Sequence, residues 1–203
     1  NFGLVRPSFL IDNSTILSGA AEALLSCIAV AYRIRLILRE RDDARSAETE
    51  ARTLADRDPL TGLMNRRAFL REAIGQTDPR TLVLLDVDHF KRVNETLGHD
   101  GGDEVLRRIA RTLCATAPAG ALVARLGGEE FAVLTDDAID LPDTILCAIR
   151  ATRMPFDIPV TVSVGVESGA IVTEEDWSRL YRAADQALFA AKDAGRDRAR
   201  CAA

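Results

Sequence analysis

The chain has 203 residues, which is enough for one ordinary domain and an additional segment. Hydrophobic residues make up 47% of it, a share that supports a packed core and argues against a disordered protein. The formal net charge of −5 argues against a general attraction to nucleic acid, so no nucleic-acid partner is expected.

The first predicted element is an apolar helix near the start of the chain. From Ile16 to Tyr32 the only charged residue is Glu22, and a helix of this length measures about 25 Å, against roughly 30 Å of bilayer hydrocarbon. Residues 9–32 together are long enough to span a membrane, and the arginines that follow are typical of a cytoplasmic flank. The alternative is an amphipathic dimerisation helix in a soluble protein.

A charged helical segment follows the arginines. Apolar residues recur in it at the seven-residue and alternate 3/4 spacings of a thin heptad pattern, namely Ile37, Ala44, Ala47, Ala51 and Leu54. This pattern predicts a homodimer formed through the N-terminal helix, and a solvated single linker helix is the alternative.

The compact domain is predicted to begin near Asp58-Pro59, where the proline ends the helix, so that residues 1–56 form a signalling helix and residues 57–203 a domain. Strands are expected at 81–88, 121–126, 131–134 and 160–166, helices at 66–74, 90–97, 103–117, 141–152 and 174–194, and a loop at 98–102. Helices interleaved with strands predict an α/β fold with a central mixed sheet flanked by helices.

The turn Gly127-Gly128-Glu129-Glu130 lies between two short apolar runs, which places it at the tip of a predicted β-hairpin. The glycines allow a tight turn and let another molecule approach the backbone closely. The carboxylates are hard oxygen ligands of the kind that Mg²⁺ prefers. The alternative is a solvated acidic loop.

Asp86 and Asp88 stand at the end of a predicted strand, so their side chains share one face while Val87 points into the core. If this strand lies beside the hairpin, Asp86 and Glu129 can hold one or two Mg²⁺ ions, an arrangement that suits phosphoryl transfer. For Asp88, capping of the next helix is an equal alternative to metal ligation.

Five motifs together resemble one known family. Their order and spacing over residues 56–200 are similar to those of the GGDEF domain, here in a Gly-Gly-Glu-Glu-Phe variant. The motifs are Asp58-Pro-Leu-Thr-Gly-Leu-Met-Asn-Arg-Arg67, Asp86-Val-Asp-His-Phe-Lys-Arg-Val-Asn94, Gly98-His-Asp-Gly-Gly-Asp103, Arg125-Leu-Gly-Gly-Glu-Glu-Phe131 and Lys192-Asp-Ala-Gly-Arg196. The resemblance implies a palm-like α/β fold, related to nucleotidyl cyclases and polymerase palms. It also implies diguanylate cyclase activity, the condensation of two GTP molecules into cyclic di-GMP and pyrophosphate.

The resemblance further implies a divalent metal, Mg²⁺ or Mn²⁺, held by the side chains of Asp86 and Glu129 and by the carbonyl of Val87. Glu130 would assist in metal binding or take the proton of the attacking 3′-hydroxyl, and which glutamate is the base stays open. Lys91 would steady the phosphates or the transition state.

The substrate site carried over from the family has three further parts. Asn94 and Asp103 would read guanine, since an amide and a carboxylate match its acceptors and donors, with His99 nearby. Gly127 and Gly128 would lie against the nucleotide.

Lys192 and Arg196, at the end of the last helix, would hold the terminal phosphates, at a helix end that also favours cations.

One departure from the family pattern concerns regulation. Family members with product inhibition carry an Arg-x-x-Asp motif upstream of the double glycine, and Pro118 and Ala121 occupy its charged positions here. This predicts that the primary feedback site is absent.

The chain is accordingly interpreted as the C-terminal output part of a bacterial membrane sensor. It is expected at the inner membrane with the catalytic domain in the cytoplasm, or in the cytoplasm if the N-terminal helix is soluble. Two copies, each with one GTP, would work as a dimer. The alternatives are a catalytically inactive GTP-binding module and a cyclase that makes a mononucleotide.

Overall fold

The computed structural model describes residues 14–136 and 138–202. The chain divides into two compact units between Thr53 and Leu54. Helix α1 (Ser14–Ala55) makes up the described part of the first unit and ends just inside the second.

Apolar side chains of α1 are exposed along its described length, among them Leu24, Leu25, Ile28 and Ile34. No helix within 14–136 or 138–202 is both long enough and apolar enough to cross a bilayer. The predicted span at 9–32 therefore finds no support in the part of it that is described, and residues 9–13 lie outside the described residues.

The predicted heptad pattern falls on side chains that the structure does not describe, those of Ile37, Ala44, Ala47, Ala51 and Leu54. The backbone through these positions is helical. Pairing of two copies through this segment stays a prediction.

The second unit is built on one mixed sheet in the strand order β1-β3-β4-β2-β5-β6. The strands are β1 (Met64–Asn65), β2 (Gln76–Val87), β3 (Leu122–Gly127), β4 (Glu130–Thr135), β5 (Val162–Ile171) and β6 (Ala199–Cys201). The central pairs are antiparallel, whereas β1 with β3 and β5 with β6 are parallel. The expected hairpin is β3–β4, which lies directly beside β2, so that prediction is confirmed.

Helices cover both faces of the sheet, as predicted. They are α2 (Arg66–Ala73), α3 (Phe90–Thr116), α4 (Leu141–Ala151) and α5 (Glu174–Asp193), with a 3₁₀ turn at Pro155–Asp157. Because side chains alternate along β2, the core is divided between the two faces of the sheet. Val83, Leu85 and Val87 pack with residues of α3 and α4, while Leu82 and Leu84 pack with residues of α2 and α5.

The helix ends follow local sequence signals. At the start of α5, Thr173 and Asp176 form a capping box, in which each side chain accepts a bond from the other residue's backbone N–H. Asn65 caps α2 by accepting from the backbone N–H of Ala68 at 3.0 Å. These caps fix where the two helices on the same face of the sheet begin.

The predicted loop at 98–102 is wrong. Helix α3 is broken only at Gly98, where φ is +72° and ψ is 172°, and it continues at once on the other side. A Cβ at Gly101 would meet Leu97, and one at Gly102 would meet Asn94 and Phe90. The two later glycines therefore let the second part of α3 pass close to the first, which a loop interpretation did not foresee.

Candidate active site

Two acidic residues face each other at one edge of the sheet. Asp86, near the end of β2, and Glu130, at the start of β4, are directly opposed in the antiparallel register. Glu129 lies next to them at the hairpin tip, where its carbonyl accepts from the backbone N–H of Val87 at 3.3 Å. The tip carries a register irregularity and a left-handed Gly128 with φ +48°, a conformation that glycine adopts without strain.

The environment of Glu130 disfavours its charge. Burial raises the pKa of this half-buried carboxyl, and the negative charges of Asp86, Asp185 and Glu129 raise the pKa further, with only Lys192 acting in the opposite direction. Asp185 was not among the predicted site residues. It comes from α5, and its contribution could be seen only once that helix was placed over the end of β2.

Lys192 supplies the cation at this acidic edge. It lies in the last turn of α5, and its Nζ is 2.8 Å from Oδ1 of Asp86. Arg196, predicted to extend the same helix end, instead lies beyond α5 in a left-handed turn with φ +62°. The structure thus brings together Asp86, Glu130 and Lys192, and it places Arg196 on the loop that follows.

The hairpin tip is fastened to the loop that opens the domain. The guanidinium of Arg125 donates from Nε and Nη2 to the carbonyl of Gly128 at 2.9 and 2.7 Å, and from Nη1 to Asp58 at 3.1 Å. Asp58 also accepts from the N–H and hydroxyl of Thr61 at 2.9 and 2.6 Å. Burial alone would raise the pKa of Asp58, but the bonds from Thr61 and Arg125 outweigh it and hold this pKa below its ordinary value.

Sequence reasoning gave Asp58 and Arg125 no role, although both stand in the motifs that carry the resemblance. Their contact joins residues that are 67 positions apart. Neither position follows from the hydrophobic periodicity. The only sequence signal for the contact is that one motif contains an acidic residue and another contains a basic one.

Asp88 does not cap α3. The residue before that helix is His89, which has φ +55° and makes no side-chain cap. The buried Asp88 carboxylate instead accepts from the hydroxyls of Thr161 and Ser163, both at 2.7 Å, and from the backbone N–H of Asp197 at 3.1 Å. The capping interpretation is wrong because these three donors, all distant in sequence, occupy the carboxylate.

The two residues predicted to read guanine are brought close by the break in α3. Asn94 belongs to the first part of the helix and packs against Gly102, the residue immediately before Asp103. Both side chains are half-buried, whereas His99, just after the break, is exposed.

Lys91 is not brought to the acidic edge. Its side chain is 91% exposed and its Nζ lies 3.9 Å from Oε1 of Glu95, one turn further along α3. Across residues 14–136 and 138–202, no three or more His, Cys, Asp and Glu side chains are grouped closely enough to form a ready-made metal site. Metal ligation by Asp86, Val87 and Glu129 therefore stays a prediction.

A mixed sheet covered by helices on both faces, with carboxylates and a lysine at one strand edge, is the palm-like class that the motifs led us to expect. The chain belongs to the GGDEF family, because the family model described as "Diguanylate cyclase, GGDEF domain" matches residues 55–198.

Individual relatives agree with this assignment. The probable diguanylate cyclase DgcT of Escherichia coli is 37% identical over 168 residues, which are 75% of this chain and 37% of that protein. The chain spans less than half the length of the curated relatives DgcT and DgcM of Escherichia coli.

Solved structures extend the likeness to the fold. The diguanylate cyclase SiaD of Pseudomonas aeruginosa, crystallised with its activator SiaC, has a TM-score of 0.72 at 33% identity, over 94% of this chain and 78% of that one. The coiled coil and GGDEF domain of DgcB from Caulobacter crescentus, in complex with c-di-GMP, has a TM-score of 0.72 at 28% identity, over 85% of this chain and 99% of that one.

Proposed function

We propose that the chain is a diguanylate cyclase that condenses two GTP molecules into cyclic di-GMP and releases two pyrophosphates. The observation that carries this proposal is the direct opposition of Asp86 and Glu130 across β2 and β4, with Lys192 2.8 Å from Asp86. Family membership over residues 55–198 supports the same reaction.

The side chains of Asp86 and Glu129 and the carbonyl of Val87 would hold Mg²⁺, or Mn²⁺ in its place. The donor set fits, because these are hard oxygen ligands and because the neighbouring carboxylates already raise the pKa of Glu130. A site that concentrates negative charge in this way is stabilised by a cation. When bound, the metal would neutralise charge on the phosphates during phosphoryl transfer.

Glu130 is the better placed of the two glutamates to receive a proton. Its pKa is raised by burial and by nearby carboxylates, which brings it closer to neutral pH and makes proton transfer from the 3′-hydroxyl more favourable. Glu129 is the alternative base, and Lys91, exposed at the start of α3, would turn toward the phosphates as they bind.

Lys192 and Arg196 would bind the terminal phosphates, which leave as pyrophosphate. Guanine would be read by Asn94 and Asp103, beside the break in α3, with His99 at the rim. At the hairpin tip, a Cβ on Gly127 or Gly128 would meet no heavy atom of the domain within 4 Å, which leaves this backbone open to a nucleotide. Each catalytic domain, residues 57–203, would thus hold one GTP.

Two such domains must meet for the reaction, since each 3′-hydroxyl attacks the α-phosphate of the other GTP. We assign the pairing of two copies to residues 1–56, and the coiled coil named in the DgcB structure supports this assignment. Attachment to the bacterial inner membrane through residues 9–32, with the domain in the cytoplasm, is the remaining part of the prediction. It has no support from the described helix.

The test is to incubate the purified chain with GTP and Mg²⁺ and to identify the products by mass spectrometry. We expect cyclic di-GMP and pyrophosphate in a ratio of one to two, and a specific activity that rises with protein concentration because a dimer is required. Glu130→Gln should lower kcat by about 100-fold or more. The matched control is Glu175→Gln, an exposed glutamate in the first turn of α5 that should leave kcat unchanged.

Two results would favour the alternatives. A cyclic mononucleotide as the product would indicate a nucleotidyl cyclase of the mononucleotide type. GTP binding without turnover, at concentrations where the protein is dimeric, would indicate an inactive GTP-binding module.

A further inference from the structure

The loop after α5 is held in an uncommon backbone conformation. Gly195, Arg196 and Asp197 have φ values of +110°, +62° and +48° in succession. Left-handed backbone is unfavourable for the two non-glycine residues, so it persists only where the surroundings fix it. This loop carries Arg196, and it leaves the helix after Asp193, the residue that follows Lys192.

Asp197 is fixed from two sides. Its backbone N–H donates to Oδ2 of Asp88 at 3.1 Å. Arg150 on α4 donates from Nε to both carboxylate oxygens of Asp197, at 2.9 and 3.0 Å, and from Nη2 to its backbone carbonyl at 2.8 Å. One residue of the strained loop thus bonds to the end of β2 through its N–H and to α4 through its side chain and carbonyl.

The Asp88 carboxylate is buried and fully hydrogen-bonded. Asp88 is 5% exposed, and its two carboxylate oxygens accept from the hydroxyl of Thr161, just before β5, and from that of Ser163, within β5. It is also two residues along the chain from Asp86. The same strand end therefore presents one carboxylate to the candidate metal site and a second one to the loop that carries Arg196.

We propose that Asp88 and Arg150 clamp Asp197 and thereby position Lys192 and Arg196 to bind the terminal phosphates of GTP. The inference rests on the proposed function. Asp88 and Arg150 are positioning residues in it, because neither is placed against the nucleotide. Loss of the clamp should release the strained turn, withdraw Arg196 and weaken phosphate binding, while the carboxylates of Asp86 and Glu130 stay in register.

The experiment uses four variants: Asp88→Ala, Arg150→Ala, Arg153→Ala and Asp88→Asn. For each we would measure the KM and kcat for GTP, the affinity for a non-hydrolysable GTP analogue and the thermal unfolding. Asp88→Ala and Arg150→Ala should each raise the KM and the dissociation constant about tenfold or more, the loss expected for one charge-assisted phosphate contact. Arg153→Ala is the matched control, because Arg153 forms an exposed ion pair with Asp157 near the same end of α4 and does not touch the loop.

Asp88→Asn separates positioning from charge. Its remaining oxygen can keep the bonds from Thr161 and Asp197, and its amide can donate to the hydroxyl of Ser163, which is both donor and acceptor. We expect this variant to bind GTP within about threefold of the wild type. If Asp88→Ala does not fold, Arg150→Ala still tests the clamp from the surface side.

Three results would overturn the clamp: unchanged GTP affinity in Arg150→Ala, equal losses in Asp88→Ala and Asp88→Asn, or an equal loss in Arg153→Ala. Wild-type protein decides the proposed function separately. If it binds no GTP, the proposed function fails, whereas a wild type that binds GTP no better than Arg150→Ala refutes the clamp alone.

Discussion

Replacing Arg125 with alanine should destabilise the catalytic domain by about 2 kcal/mol. Arg125 and Asp58 form an ion pair whose side chains are only 14% and 17% exposed. Removing one partner of a buried pair costs about 3–5 kcal/mol, while exposed pairs contribute about 0–1 kcal/mol. The cost here falls between these limits, because Asp58 keeps the two bonds from Thr61 and the carbonyl of Gly128 is at the surface.

Thermal unfolding followed by circular dichroism measures the effect. A loss of about 2 kcal/mol corresponds to a Tm lower by roughly 4–8 °C for a domain of this size. A double-mutant cycle with Asp58→Ala should give a coupling energy of about 1 kcal/mol, since the two side chains bond directly. Arg153→Ala, which removes an exposed pair, is the control and should leave the Tm nearly unchanged. An Arg125→Ala protein as stable as that control would refute the reasoning.

Three further predictions concern the site. Because burial and nearby carboxylates raise the pKa of Glu130, its charged form destabilises the fold, and this penalty appears as the pH rises through the raised pKa. Glu130→Gln should therefore raise the Tm at neutral pH and leave it unchanged near pH 4; an equal shift at both would contradict this. Gly102→Ala should raise the KM for GTP about tenfold by displacing Asn94; a KM equal to that of the wild type would refute the role of the close approach. Micromolar cyclic di-GMP should leave the initial rate unchanged, because Pro118 and Ala121 carry no charge; strong inhibition that is lost on substituting Pro118 would show that a feedback site exists there.

The regular elements of the sheet and most helices could be predicted, because their apolar residues recur with the period of the structure. β1 and β6 could not. They contain two and three residues, and each becomes a strand only because a longer neighbour, β3 or β5, is present to pair with it. The break at Gly98 was predicted as a loop because three glycines within five residues are typical of one. The later two, however, serve close packing inside a helix.

The candidate site, too, could be predicted from the sequence only in part. The strand that carries Asp86 and the acidic hairpin were both predicted, but their adjacency was only a condition of the prediction, and the register opposes Asp86 to Glu130 rather than to Glu129. The partners of Asp88 did not, because Thr161 and Ser163 are 73 and 75 residues away and bear no periodic relation to it. Local rules predict capping for an aspartate before a helix, but the carboxylate of Asp88 accepts hydrogen bonds from residues distant in sequence instead.

The ion pair between Lys192 and Asp86 has a consequence for how substrate enters. Each of these side chains neutralises the other at 2.8 Å, so the protein carries its own counter-ion where the metal and the phosphates are proposed to bind. If the metal and the phosphates bind as proposed, binding would be an exchange of partners: the carboxylate of Asp86 would turn to the cation and the ammonium of Lys192 to the phosphate. A metal arriving alone would have to displace the lysine without offering it a new anion, whereas the metal–nucleotide complex satisfies both groups at once. On the proposed function, the metal and the nucleotide would therefore enter the site together.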